Sequence, residues 1–64
     1  MTDYRVYGLD DKGRIRFGDF VSCRSEADAV EAARHLLERF PAAEVWLGAR
    51  RIAAETAHAG SGGA

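Results

Sequence analysis

The chain has one cysteine, one proline, no long apolar run and no excess of either charge, and each shortage removes a class of protein. A lone thiol, Cys23, closes no internal disulfide and holds no structural zinc by itself. Small exported domains are usually disulfide-stapled, so a reducing, cytoplasmic setting is expected. No apolar stretch approaches the roughly 20 residues that span a bilayer. Met1-Thr2-Asp3-Tyr4-Arg5 lacks the apolar core of a secretory signal, so neither membrane insertion nor export is expected. Nine Lys and Arg against ten Asp and Glu leave a net charge of -1 and a pI near 6.0. That balance exerts no strong pull on nucleic acid or anionic lipid, and any basic patch must be local.

What remains is a soluble-type composition. Of 64 residues, 47% are hydrophobic and 30% charged, too apolar for a chain disordered throughout. A chain of this length makes one domain at most and buries only about 60% of its unfolded surface, so its stability is thin. Eight of the nine basic residues are Arg and alanine is frequent, a bias that points to a GC-rich bacterial genome rather than to an arginine-dependent mechanism.

Residues 4–9 are rich in β-formers and are followed by Asp10-Asp11-Lys12-Gly13, a polar turn in which glycine accepts positive φ. Arg14-Ile15-Arg16-Phe17 resumes with period-two alternation, which predicts an antiparallel hairpin partner. The alternation slips at Gly18-Asp19, where a bulge or bend would bring Phe17 and Phe20 to one side. Ser25-Glu26-Ala27-Asp28 resembles a capping box, and Ala29, Val30, Ala33, Leu36, Leu37 and Phe40 form one apolar stripe. With Pro41 as terminator, the helix is expected over about 26–40. Glu44-Val45-Trp46-Leu47-Gly48 reads as a third strand, which Arg50-Arg51-Ile52 either prolong or leave. From Thr56 onward the Gly/Ser/Ala composition predicts a flexible tail, giving a domain of 1–55 and a tail of 56–64.

The expected fold is therefore α+β, ββαβ: a three-stranded antiparallel sheet in order 2-1-3 with one helix on one face. Val6, Ile15, Phe17, Val45 and Leu47 are the expected inner set. Parity then places Arg5, Tyr7, Arg14, Arg16 and Trp46 on an uncovered face. Parity does not choose the sign, and the reverse assignment turns Trp46 inward with Val45 and Leu47 outward.

An aromatic and arginine face suits three partners. It can pair with a second copy as a homodimer or dock another protein, small inhibitors and antitoxin-like proteins included. It can also stack single-stranded nucleic acid, although the charge balance and the lack of a glycine-and-aromatic RNA-binding run argue against that. The plainer reading is an ordinary solvated face on which Arg stems shield Trp46. The expected interface residues are Tyr7, Trp46, Arg5, Arg14, Arg16 and Arg50.

Catalytic and metal chemistry find no complete set. Asp28, Glu31, His35 and Glu38 share a helical face, but metal sites usually draw ligands from a second element, and Glu31 with His35 or Arg34 with Glu38 are ordinary surface pairs. Cys23 lacks a base, since neither His35 nor His58 is placed beside it. Asp10 and Asp11 belong to a turn. Gly60-Ser61-Gly62-Gly63 follows no strand and lacks a lysine, so it is no phosphate cradle. The expectation is a non-enzyme without cofactor or metal.

Tyr4 to Tyr7, Asp10-x-x-Gly13-Arg14-Ile15, Ser25-Glu26-Ala27-Asp28-Ala29 and Glu44 to Ala53, with Trp46-x-Gly48-x-Arg50 as the most specific piece, resemble a large group of very short, uncharacterised bacterial proteins from GC-rich genomes. The likeness covers residues 4 to about 53. It implies no activity, ligand or catalytic residue. It does imply that Trp46, Gly48 and Arg50 act as a unit, Gly48 letting the chain pass close to a neighbour and Arg50 answering an acidic group.

Overall fold

Apolar side chains at alternate positions from Tyr4 give β1 (Thr2–Leu9) a buried and a wet side. A turn returns the chain as β2 (Ile15–Cys23). The structure, a computed structural model, describes residues 1–57. Ser25 caps α1 (Glu26–Arg34), its hydroxyl accepting the Asp28 N–H at 3.3 Å. A 3-10 segment, His35–Glu38, ends the helical stretch, followed by β3 (Ala42–Leu47) and β4 (Arg50–Thr56). The sheet is antiparallel, in order β2-β1-β3-β4, and α1 covers one face.

The α+β class with one helix is as expected, but the sheet has four strands rather than three. Gly48 adopts φ 61° and, with Ala49, makes a two-residue turn that pairs Leu47 with Arg50. Arg50-Arg51-Ile52 neither prolong β3 nor leave the sheet; they open β4. A Cβ at Gly48 would meet nothing within 4 Å, so this glycine is there for its backbone angle and not for close approach. Strand geometry reaches Thr56, where the tail was expected to begin, and the Ala57 N–H donates to the Pro41 carbonyl at 2.9 Å. The rest of the expected tail, 58–64, lies outside the described residues.

The α-helix stops six residues short of the expected end at Phe40. Pro41 disfavours helical geometry before it, and the last turn tightens, both Arg39 and Phe40 N–H groups donating to the Leu36 carbonyl. Phe40 then lies over Gly8 and stacks on Phe17 at 6.1 Å. A Cβ on Gly8 would come within 2.5 Å of the Phe40 ring, so here glycine is required by space. Arg34 ties the helix end to the sheet through Glu55 and also meets Glu31, both at 3.7 Å, in place of the expected pairing with Glu38.

Tyr4, Val6, Ala29, Ala33, Ala43 and Val45 form the core between α1 and the sheet, with Val21, Cys23, Val30, Leu36, Leu37, Ile52 and Ala53 packed around it. Val6 and Val45 are inner residues as expected, and Phe17 is half-buried. Ile15 and Leu47 are not: they are 56% and 40% exposed. For Ile15 the reason is a bulge. Gly8 pairs Phe17 while Leu9 pairs Ile15, so Arg16 is the extra residue that separates Ile15 from Phe17. Pairing and strand geometry run unbroken through Gly18 and Asp19, so neither the bulge nor the bend expected there is present and Phe20 stays on the face opposite Phe17. A second bulge makes Ile52 the extra residue between Val45–Ala53 and Trp46–Arg51.

Candidate functional site

Strand register assembles the uncovered face. Phe20 pairs Arg5, Arg5 pairs Trp46 and Trp46 pairs Arg51, which makes one row across all four strands: aromatic, cation, aromatic, cation. The neighbouring row is Gly18, Tyr7, Glu44, Ala54. Val45 is fully buried against the helix, so Trp46, the next residue along β3, belongs to the open side, and the sign that parity left undecided falls that way.

The side chains on these rows are mutually bonded. The Arg5 guanidinium lies 5.0 Å from the Phe20 ring centre and donates to the Tyr7 hydroxyl at 3.0 Å. The Tyr7 and Trp46 rings meet edge to face, centroids 6.4 Å apart. Trp46 Nε1 donates to Glu44 Oε1 at 2.9 Å, and Arg51 donates to Glu44 Oε2 at 3.2 Å. A side chain on Gly18 would crowd the Tyr7 ring at 3.1 Å, so the tyrosine rests on bare backbone. One strand step away, the Ser22 hydroxyl donates to the Asp3 carboxylate. On the two rows and the adjoining Asp3–Ser22 pair the charges are Asp3, Arg5, Glu44 and Arg51, two of each sign, while Arg16, two residues before Gly18 on β2, lies at the margin of the same side. Phe20 is 63% exposed and is the most accessible aromatic ring of the face.

Of the six residues expected to form an interface, the structure brings together Arg5, Tyr7 and Trp46, leaves Arg16 at the margin of the same side, and places Arg14 and Arg50 at turns. Arg14 sits at the β1–β2 turn and donates through Nε to Asp10 Oδ2 at 3.1 Å. Arg16 occupies the bulge. Arg50 opens β4 beside the Gly48 turn and, among the described residues, makes no ion pair with the acidic group it was expected to answer; the neighbouring Arg51 is the one that holds a carboxylate, that of Glu44. Phe20, Arg51 and Glu44 complete the face without having been expected there. Phe20 was displaced by the misplaced bulge, and Arg51 needed the fourth strand. Glu44 carried a usable signal, since it stands two residues before Trp46 on one side of a strand.

The other candidates stay apart. Asp10 Oδ1 accepts the N–H groups of Lys12 and Arg14, each at 2.9 Å, and its carboxyl is held below the ordinary range chiefly by the Arg14 N–H, against an opposing push from desolvation. Asp10 and Asp11 line a shallow cleft with Gly13, Pro41, Ala42 and Thr56. The Asp10 oxygens are already committed to the turn, so this cleft has no convergent polar set. Cys23 ends β2, half-buried against the core. His35 begins the 3-10 segment, and His58 lies outside the described residues. Among the described residues no His, Cys, Asp or Glu cluster has the grouping to hold a metal, and no helix is long and apolar enough to cross a membrane. On the β2 edge, the Asp19 carboxylate accepts the N–H of its neighbour Phe20 at 2.9 Å.

Comparison with known protein families, curated proteins and solved structures finds no match to this chain.

Proposed function

We propose that this protein is a non-catalytic, cytoplasmic interaction module that docks a protein surface, its own or another's, through the open sheet face. The observation that carries this reading is the row Phe20, Arg5, Trp46, Arg51, a cation–π and aromatic surface left uncovered by the only helix among the described residues. Aromatic and arginine side chains are the groups that most often dominate protein interfaces. The two acidic and two basic groups of Asp3, Arg5, Glu44 and Arg51 leave no strong excess of positive charge at the centre of the face, which favours a protein over a polyanion, because binding there releases few counterions. The thin core points the same way. Three of the seven buried apolar residues are alanines and the largest fully buried side chain is a valine, so a partner adds apolar burial that the monomer lacks.

Single-stranded nucleic acid is the second reading, favoured by the exposed Phe20 ring beside two arginines. The kinship with short bacterial proteins is part of the same proposal and adds no chemistry to it. The test compares wild type with Trp46→Ala by sedimentation from micromolar to millimolar, and titrates Trp46 emission with single-stranded oligonucleotides at two salt concentrations. Self-association that Trp46→Ala weakens supports the module. Quenching by oligonucleotide that declines as salt rises overturns it in favour of nucleic acid.

A further inference from the structure

The geometry points to a second copy of this chain as the occupant of the open face, related by a two-fold axis that runs along the strands between β1 and β3. This inference rests on the docking reading above and goes further by fixing partner and register. Read from β2 to β4, the first row is Phe20, Arg5, Trp46, Arg51. Turned over about that axis, a second copy presents the same row in reverse. Phe20 then faces the partner's Arg51, and Arg5 faces the partner's Trp46. Every aromatic ring meets a guanidinium, and no two like charges meet.

The second row also brings no like charges together. Tyr7 faces the partner's Glu44, so a hydroxyl that accepts from Arg5 still has its own proton to donate to a carboxylate. Gly18 faces the partner's Ala54, and these small residues leave room for the larger side chains between them. An axis lying across the strands at the first row is excluded by the same pattern, because it sets Arg5 against the partner's Arg5 and Arg51 against the partner's Arg51. A row that alternates ring and cation is complementary to its own reverse, and an axis between β1 and β3 is the one that pairs all four of its members. The result is a two-sheet sandwich with α1 on each outer side, the sheets about 10 Å apart as in other face-to-face packings.

Two measurements test this. In a double-mutant cycle by sedimentation equilibrium, Arg5→Gln and Trp46→Leu each weaken the dimer about tenfold, since symmetry removes two contacts per substitution, and the double variant is little weaker than either. Circular dichroism at low concentration verifies that each variant is folded. In the second, a Cys23→Ser, Thr56→Cys chain bearing a spin label is mixed with isotope-labelled wild type. The expected result is broadening strongest at Ile15 and Arg16 of the labelled copy, because the axis sets β4 over the partner's β2. Strongest broadening on β4 overturns the register, and broadening confined to α1 overturns both the register and the docking face. A chain that stays monomeric at millimolar concentration overturns the second copy alone, leaving the docking reading to the oligonucleotide result.

Discussion

The two sides of this sheet divide the side chains by size against ordinary expectation. Between α1 and the sheet, Ala29 and Ala33 of the helix meet Ala43 and Val45 of β3, small groups that let the helix approach closely, with Tyr4 as the one ring of the buried core and the Phe17–Phe40 stack over Gly8 beside it. The open side holds Phe20, Tyr7, Trp46, Arg5 and Arg51, the bulkier set. The covered side has no hydrogen-bonding side chains among its buried residues beyond Tyr4, whereas the open side is knitted by Arg5 to Tyr7, Trp46 to Glu44 and Arg51 to Glu44. One side is held by exclusion of water and tight fit, the other by directional contacts that survive in water at modest strength. The difference teaches that the two sides of one layer are held by different forces, so each can be altered with little effect on the other; under the proposed function, recognition falls to the open side.

The largest effect is expected at Tyr4. Tyr4→Ala removes the one large core ring and costs about 3–5 kcal/mol. A single small core rarely supplies more than about that amount, so this variant is largely unfolded by circular dichroism at room temperature. Gly8→Val comes next. Its added methyl groups strike the Phe40 ring and cost about 1–3 kcal/mol, read as a lower urea midpoint.

The opposite side gives the contrast. Phe20→Ser changes the stability of the dilute monomer by only about 0.5 kcal/mol or less, because the ring is mostly exposed, yet it weakens any association through that face. If urea melts show Phe20→Ser to be as damaging as Tyr4→Ala, the separation of roles fails. The smallest effect concerns acid. The folded pKa of Asp10 is depressed, so its stabilisation of the turn is complete at neutral pH and is lost as pH falls through that depressed value. Asp10→Asn, which keeps the oxygen that caps Lys12 and Arg14, flattens the acid limb of a plot of urea midpoint against pH.

Local signals were readable in the sequence wherever one residue type dictates one geometry. Ser25 announced its cap, Gly13 its positive φ of 80°, and Pro41 the end of the helical run. Alternation also put Val6 and Val45 on one side and Arg5, Tyr7 and Trp46 on the other. Bulges were not readable, because an extra residue leaves no compositional mark. Arg16 and Ile52 each shift the parity of what lies beyond them, which hid the exposure of Ile15 and broke the alternation by which β4 would have been recognised. Phe20 was drawn toward Phe17 for the same reason. The burial of Tyr4 was within reach, since it stands two residues from Val6 on β1.

The carboxylate of Asp19 has a consequence for crowding. Of the two margins of this layer, β2 and β4, the first has its Phe20 amide already occupied by that carboxylate, and the register sets Asp19 on the same side as Val6. A neighbouring ribbon that tried to zip onto β2 would have to displace an anion and leave it beside a foreign backbone. Fibril growth needs both margins open on every unit. With that amide occupied, β2 is the less receptive margin, so accidental ribbon joining falls mainly to β4 and repeated edge-to-edge addition is disfavoured.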